Sequence, residues 1–358
     1  MFWASSNLTL DAEEGYTLTL DGKTLDGNSV NASGALVEGE GDHVTINITE
    51  RVTLKDNHSD VASLGMYKGV MAGTITGNEG GGVYVRSTTQ STGTVVLSGT
   101  ITNNVGTTFG GVKVNQNGIT ISGTVSGNKA TAANEEGAGG VYVGPPANAK
   151  TTTREVTISG SVTDNTVTAI EVGGARAGGV YVGGTGAVTI NGTVSGNTAT
   201  ATGKYGACAG GVYASSTGGV TINGTVSANV ATVTGDYGAG AGGVYVSPTG
   251  EVAITGSVKD NTCAFSTGAG GVYAANKSSE INIAGGVNIT GNTKGASRSN
   301  LRGKATATAA ITGSVGFSMF SETDPLILTY DAGVIMKENF DPLKLFADNS
   351  PRFAIAWT

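Results

Sequence analysis

The sequence predicts an all-β fold: a right-handed parallel β-helix, a three-sheet solenoid of roughly ten turns with atypical capping segments. Three observations carry this. Glycine accounts for 60 of the 358 residues, against 6 prolines, a composition suited to turns and strands rather than to disorder or collagen. A Gly-Gly-Val-Tyr phrase occurs at 81–84, 139–142, 178–181, 210–213, 242–245 and 270–273, with Gly-Gly-Val-Lys at 110–113. An Asn that closes a short strand recurs at 165, 197, 229, 261 and 292, in steps of 32, 32, 32 and 31 residues.

Each unit reads as three strands: Val-Tyr-Val, then Val-Thr-Ile, then Thr-Val-Ser before Gly-Asn. All three alternate apolar and polar residues, so one face of each is inside. Strands this short pair with their copies one unit away, and parallel crossovers wind right-handed. Turns then stack about 4.8 Å apart, making a rod of about 50 Å. Gly and Asn suit the corners, where φ > 0 is expected. Asn128, Asn165, Asn197, Asn229, Asn261 and Asn292 are expected to stack into a hydrogen-bonded ladder. Cys208 and Cys263 belong to no metal or redox spacing and read as two small buried side chains.

Three regions follow. Residues 1–60 hold irregular first turns and a cap (Leu18-Thr19-Leu20, Val44-Thr45-Ile46), residues 61–298 the regular repeats, and residues 299–358 a last turn and cap. Five of the eight Phe, at 317, 320, 340, 346 and 353, lie in the last region. There Asp341-Pro342-Leu343 reads as a helix start. Solenoid ends need such caps because open strand edges recruit other chains.

The Gly-Gly-Val-Tyr-Val, Val-Thr-Ile and Thr-Val-Ser-Gly-Asn phrases resemble the pectate-lyase-like right-handed β-helix superfamily over about residues 60–320. They are most similar to its Gly- and Thr-rich branch in large surface proteins of anaerobic bacteria and some archaea, classed as adhesin-like. The resemblance implies architecture strongly. Activity is a separate matter, because function lives in sites grafted on folds.

Composition narrows the partners. The net charge is −7 and the 20 basic residues are scattered, which disfavours nucleic acid. No apolar run is long enough for a membrane span. The start, Met1-Phe2-Trp3-Ala4, shows no signal-peptide pattern. The expectation is a segment of a longer extracellular cell-surface protein whose signal and anchor lie outside this chain.

The resemblance implies that an enzyme of this superfamily would carry a carboxylate cluster holding calcium and a basic residue to take the proton. The acidic residues here are sparse: Glu135, Glu136, Asp164, Glu171, Asp236, Glu251 and Asp260 fall at different points of the unit. Asp164 and Asp260 share one position three turns apart, about 14 Å, too far to cooperate. His43 and His58 accompany no nucleophile motif. No metal site, cofactor or catalytic residue is expected.

A surface remains. In Val-Tyr-Val the two Val face the core, so Tyr84, Tyr142, Tyr181, Tyr213, Tyr245 and Tyr273 are expected to form an exposed stripe interrupted by Lys113. It would lie beside variable loops at Lys129–Ala138, Thr166–Ala177, Thr198–Ala209, Val230–Ala241 and Thr262–Ala269, two of which carry Tyr205 and Tyr237. Aromatic faces with polar neighbours suit sugar rings or a partner protein, and stacked Tyr also stabilises a sheet. A second outward row, Thr120, Thr157, Thr189 and Thr221, fails at Ala253 and Asn282. Three functions compete: a non-enzymatic adhesin-like rod displaying a face for a host glycan or surface protein, a polysaccharide lyase or glycoside hydrolase, and an ice-binding β-helix.

Overall fold

Valine and isoleucine at every second position, in runs too short to form a sheet alone, leave one arrangement in which all of them are buried. The computed structural model has that arrangement: an all-β, right-handed parallel β-helix. It describes residues 2–21, 35–58, 62–86, 94–115, 118–132, 137–144, 155–169, 175–184, 187–203, 206–235, 239–247, 251–264, 268–274, 280–284, 288–298, 301–303, 308–312 and 328–330, apart from 42 and 217. Among these residues three sheets run the length of the rod. Sheet 1 has 12 strands, from Phe2–Ala4 to Leu328–Tyr330, and contains every Val-Tyr segment; sheet 2 has 11, from Leu8–Leu10 to Thr308–Thr312; sheet 3 has 10, from Leu18–Asp21 to Asn288–Thr290. Each strand pairs in parallel with its copy one turn away, in phase: Val83 faces Val112, Ile119 faces Val156, and Val194 faces Val226.

Phase matters because a one-residue slip would turn the apolar set outward. In register, the inward residues of sheets 1–3, such as Ile46, Leu64, Ile75, Val112, Ile158, Val194 and Val226, form one continuous buried core.

Two further sheets correct the expected loops. Sheet 4 has eight strands, including Lys129–Ala132, Thr166–Ala169, Thr198–Ala201 and Val230–Val233. Sheet 5 has five: Gly137–Ala138, Ala175–Ala177, Ala207–Ala209, Ala239–Ala241 and Gly268–Ala269. The segments read as variable loops are therefore strands over much of their length. They enclose a second, narrow core of Ala130, Val167, Ala169, Ala199, Ala201, Ala231 and Val233, joined by Cys208 and Cys263. The two thiols are buried as expected and no disulfide joins them.

The two lobes meet at the Asn ladder. Asn197 Nδ2 donates to Asn229 Oδ1 at 2.9 Å and to the Val162 carbonyl at 2.9 Å, and its Oδ1 accepts from both the amide and Nδ2 of Asn165, each at 3.0 Å. The pattern repeats along the column, which begins earlier than expected: Asn78 and Asn104 belong to it. One correction concerns backbone conformation. The residue before each ladder Asn, not the Asn, takes φ > 0: Asp56, Gly77, Asn103, Gly127, Asp164, Gly196, Ala228, Asp260 and Gly291. The Gly-Gly pairs sit where the second lobe returns to this corner. A Cβ on Gly211 would lie 2.6 Å from the Gly243 carbonyl and 3.0 Å from Asn229 Nδ2, so a side chain there would collide with the ladder.

Leu301–Gly303 and Leu328–Tyr330 add strands to sheet 1 and Thr308–Thr312 adds one to sheet 2. The five Phe and the Asp341-Pro342-Leu343 segment lie outside the described residues.

Candidate functional site: the outer face of sheet 1

The sheet 1 register places one residue per turn in an outward row: Trp3, Glu38, Gly65, Tyr84, Lys113, Tyr142, Tyr181, Tyr213, Tyr245 and Tyr273. The expected alignment of the tyrosines is present. Their expected exposure is not: Tyr181, Tyr213, Tyr245 and Tyr273 are only 1%, 5%, 6% and 1% exposed. Sheet 5 is the reason. Its Ala138, Ala177, Ala209, Ala241 and Ala269 pack onto the rings in a third apolar cluster. Alanine is small enough to let the second lobe close over the stacked rings. The rings stack, with centroids 5.0 Å apart from Tyr142 to Tyr181, 5.6 Å from Tyr181 to Tyr213 and 4.6 Å from Tyr213 to Tyr245. Burial, with smaller contributions from Tyr213 and Tyr273, pushes the Tyr245 hydroxyl far above the ordinary tyrosine range. Four of the six stripe tyrosines are thus core, not a binding surface. Tyr205 and Tyr237 lie outside the described residues.

Sheet 5 begins at Gly137; one turn earlier Phe109, bridged to Ala138, stands in its place, and Tyr142 still packs against the alanine cluster. There Tyr84, Lys113 and Tyr142 are half-buried. The Lys113 ammonium takes the place of a ring in the stack. It lies 5.4 Å from the Tyr84 centroid, 5.7 Å from Tyr142 and 5.9 Å from Phe109, within cation–π range. On the other side of Tyr84, the Arg86 guanidinium lies 4.9 Å from the ring centroid. Its Nη2 donates to Glu38 Oε1 at 2.6 Å. Glu38 is 2% exposed. Gly65 makes room for this pair, since a Cβ there would sit 3.3 Å from both Arg86 Nε and Glu38 Cγ. Asn115 Nδ2 donates to the Tyr84 hydroxyl at 2.8 Å. Glu38 Oε2, Arg86 Nε and Asn115 Oδ1 are buried and have no hydrogen-bond partner among the described residues.

The sequence reading missed Glu38, Arg86, Phe109 and Asn115. Arg86 could have been found, because a residue two beyond Tyr84 shares its face of the strand. Glu38 could not, because the first turns lack the Gly-Gly-Val-Tyr phrase that sets the register.

The remaining polar features fall elsewhere. Asp164 and Asp260 are exposed corner residues, while Glu135, Glu136, Glu171 and Asp236 lie outside the described residues. His58 Nδ1 lies 3.1 Å from Glu79 Oε2, both side chains being well exposed. No group of three His, Cys, Asp or Glu that could hold a metal ion occurs among the described residues. The Thr120, Thr157, Thr189 and Thr221 row of sheet 2 is present in register. Sheet 3 carries a more regular array that the sequence reading passed over. Thr74, Thr100, Thr124, Ser161, Thr193, Thr225 and Ser257 form one row, and Thr76, Thr102, Ser126, Thr163, Ser195 and Ser227 another. All are half-buried.

The chain matches no family model, no curated protein and no solved structure. No helix among the described residues is long and apolar enough to cross a membrane. The class that fold and site define is a parallel β-helix solenoid with a partly open aromatic–cationic face.

Proposed function

We propose that the chain is a non-enzymatic, adhesin-like module of the cell surface, related to the pectate-lyase-like β-helices. It acts as a stiff rod that presents a recognition face to a host glycan or surface protein. The observation that carries this reading is the cluster of half-buried Tyr84, Lys113, Tyr142 and Arg86, with Glu38 buried beneath, at the start of sheet 5. Clustered aromatic and Arg side chains are the residue types that dominate recognition surfaces. The binding face expected along all six stripe tyrosines narrows accordingly to Tyr84 and Tyr142. The test is a binding screen of the full chain on glycans and on host matrix and mucin proteins, repeated with Lys113→Glu/Tyr142→Ala. Binding lost in the double variant with the thermal melt retained supports the reading; binding indifferent to it overturns the reading.

A second reading, ice binding, is favoured by the sheet 3 array. From Thr74 to Ser227, before Lys259 ends the second row, its outer face carries only hydroxyl side chains. They repeat about 4.8 Å across strands and about 6.7 Å along them, an uncharged lattice of the kind that could order water. Thermal hysteresis abolished by Thr193→Lys/Thr225→Lys would establish it, and freezing like that of a control protein would dismiss it.

A further inference from the structure

We infer that the buried tyrosine column is a relay for one-electron oxidation, loaded at half-buried Tyr142 and running through Tyr181, Tyr213 and Tyr245 to Tyr273. No ligand has to reach these rings, and the relay is independent of the recognition face. Four of the five are at most 6% exposed. Successive ring centroids lie 5.0, 5.6, 4.6 and 5.5 Å apart, each within contact range of an aromatic pair. The first three pairs are stacked, at 13°, 27° and 10° between ring planes. The alanines of sheet 5 pack over the column and keep solvent from it. A radical inside it therefore meets no second radical with which to couple, unlike one on Tyr16, which is 69% exposed.

Oxidation of a phenol removes an electron from the ring and a proton from the hydroxyl, so a relay must move both. Stacked rings pass the electron. Hydroxyls pass the proton where they meet, because each both donates and accepts. Tyr213 and Tyr245, the closest and most nearly parallel pair, also have their hydroxyls hydrogen-bonded to each other. In one exchange the Tyr245 O–H bond breaks and a Tyr213 O–H bond forms. Tyr245 is oxidised to the phenoxyl radical and the Tyr213 radical is reduced to the phenol. No net charge appears in the apolar interior, where an unpaired one is costly. Tyr142 and Tyr181 hold their tips alike: a Cβ on Gly144 or Gly183, two residues on, would lie 3.0 Å from the hydroxyl. Loading takes place at the wet end. A one-electron oxidant in solvent takes an electron from Tyr142 and is itself reduced, and the phenol proton goes to water. Lys113 ends the relay on that side. Its ammonium stands 5.4 Å from the Tyr84 centroid and 5.7 Å from that of Tyr142, and it has no electron to pass on.

The test generates a one-electron oxidant in solution, by flash photolysis of a ruthenium polypyridyl complex with persulfate, and follows tyrosyl radicals on the full chain by absorbance and electron paramagnetic resonance. Wild type should show two populations: a fast one on exposed phenols such as Tyr16, which couple in solution, and a slow one in the column. Tyr142→Phe keeps the ring and its packing but cannot be loaded, and should lose the slow population. Tyr16→Phe should keep it. Tyr213→Phe/Tyr245→Phe removes the hydrogen-bonded pair and should shorten its decay. Thermal melts check that each variant is folded; if Tyr142→Phe melts early, Tyr181→Phe, which cuts the column one ring deeper, decides instead. A slow population that is absent from wild type, undiminished in Tyr142→Phe, abolished in Tyr16→Phe or unchanged in decay in the double variant overturns the inference.

Discussion

At the scale of single residues the ladder asparagine is the most constrained position. Its side-chain amide makes four hydrogen bonds, at Asn197 three to the preceding turn and one to the next, and no other side chain offers that donor and acceptor count in that shape. Asn197→Ala removes partners from Asn165, Asn229 and the Val162 carbonyl. We expect a loss of about 3 kcal/mol or more, since each buried group left unpaired costs about 1–3 kcal/mol. Urea denaturation checks this, and a loss below about 1 kcal/mol would show that the column relaxes around the gap. The preceding position is informative in the other direction. It is occupied by Gly, Asp or Asn at every described corner except Ala228, which has φ 54°. An L-residue without a side-chain partner pays about 1–2 kcal/mol in that conformation. Ala228→Gly is therefore expected to stabilise the chain by about 1 kcal/mol, read as a higher denaturation midpoint at unchanged slope. A lower midpoint would contradict the strain. The ladder from Asn165 to Asn292 was legible from the near-constant 32-residue step, whereas Asn78 and Asn104, at steps of 26 and 24 residues, fell outside it. The positive-φ position was displaced by one, because Asn and its neighbour are equally plausible left-handed residues in sequence.

At the scale of elements the Tyr column shows where sequence reasoning reached its end. The alternation Val-Tyr-Val correctly put the tyrosines on the outer face of sheet 1. It could not show that a second layer of chain returns over that face. Sheet 5 consists of strands of two or three residues built from Ala and Gly apart from Arg176 and Cys208, with no β-branched signal to announce them. The consequence is testable. Tyr213→Ala should cost about 3–5 kcal/mol, the range for deleting a buried aromatic, whereas an exposed Tyr would cost little. A thermal melt lowered by less than about 2 °C would contradict the burial. Lys113, standing in a ring's place, should tolerate Lys113→Tyr with little change, since an aromatic continues the stack. Lys113→Glu should destabilise by more than the about 0.5–1 kcal/mol of a partly exposed cation–π contact.

The first turns are tied by polar contacts of a different kind. Asp11 is held below the ordinary carboxylate range chiefly by the Thr49 hydroxyl, then by the Ala12 amide and Arg51. A depressed carboxylate contributes stability above about pH 4 and loses it as pH falls through the folded value. Lys55 is raised, chiefly by its hydrogen bond to Asp21, and its contribution is lost only in strong alkali. Because both groups are solvent-exposed, the effect is small and salt-sensitive. Acid should therefore loosen residues 8–55 before the middle of the rod, read as earlier hydrogen exchange there below pH 4. Uniform exchange along the rod would contradict this.

For the whole molecule, stability is a sum of turns and of interfaces between neighbouring turns. Deleting residues 198–229 removes one 32-residue unit and joins Asn197 to Val230 in phase. It also removes Ala228, so that Asp164, Gly196 and Asp260 follow one another at the corner. The shortened chain is expected to fold, with a maximum dimension about 5 Å smaller by X-ray scattering. A collapsed or aggregated product would mean that the turns are not interchangeable. Alkali acts on the rod through Tyr245. The raised Tyr245 hydroxyl contributes stability that is complete below about pH 10 and falls as pH rises beyond it, because the unfolded chain then loses a proton that the folded chain keeps. The Tyr245 phenol should ionise together with unfolding, in a cooperative step of phenolate absorbance. Gradual ionisation without loss of circular dichroism would indicate that the rings are open to solvent.

By itself the sequence determined the winding, the period, the three long sheets, the inward Val and Ile faces and the Asn column. Each of these rests on local alternation repeated at a fixed step, and repetition makes a weak local signal strong. The tertiary structure alone decided the second lobe, the burial of Tyr181 through Tyr273 and the open cluster around Tyr84. These depend on which face of a sheet another part of the chain covers. Two faces with the same alternating sequence differ in exposure only because Ala177, Ala209, Ala241 and Ala269 lie over one of them and no strand of sheet 5 lies over the other.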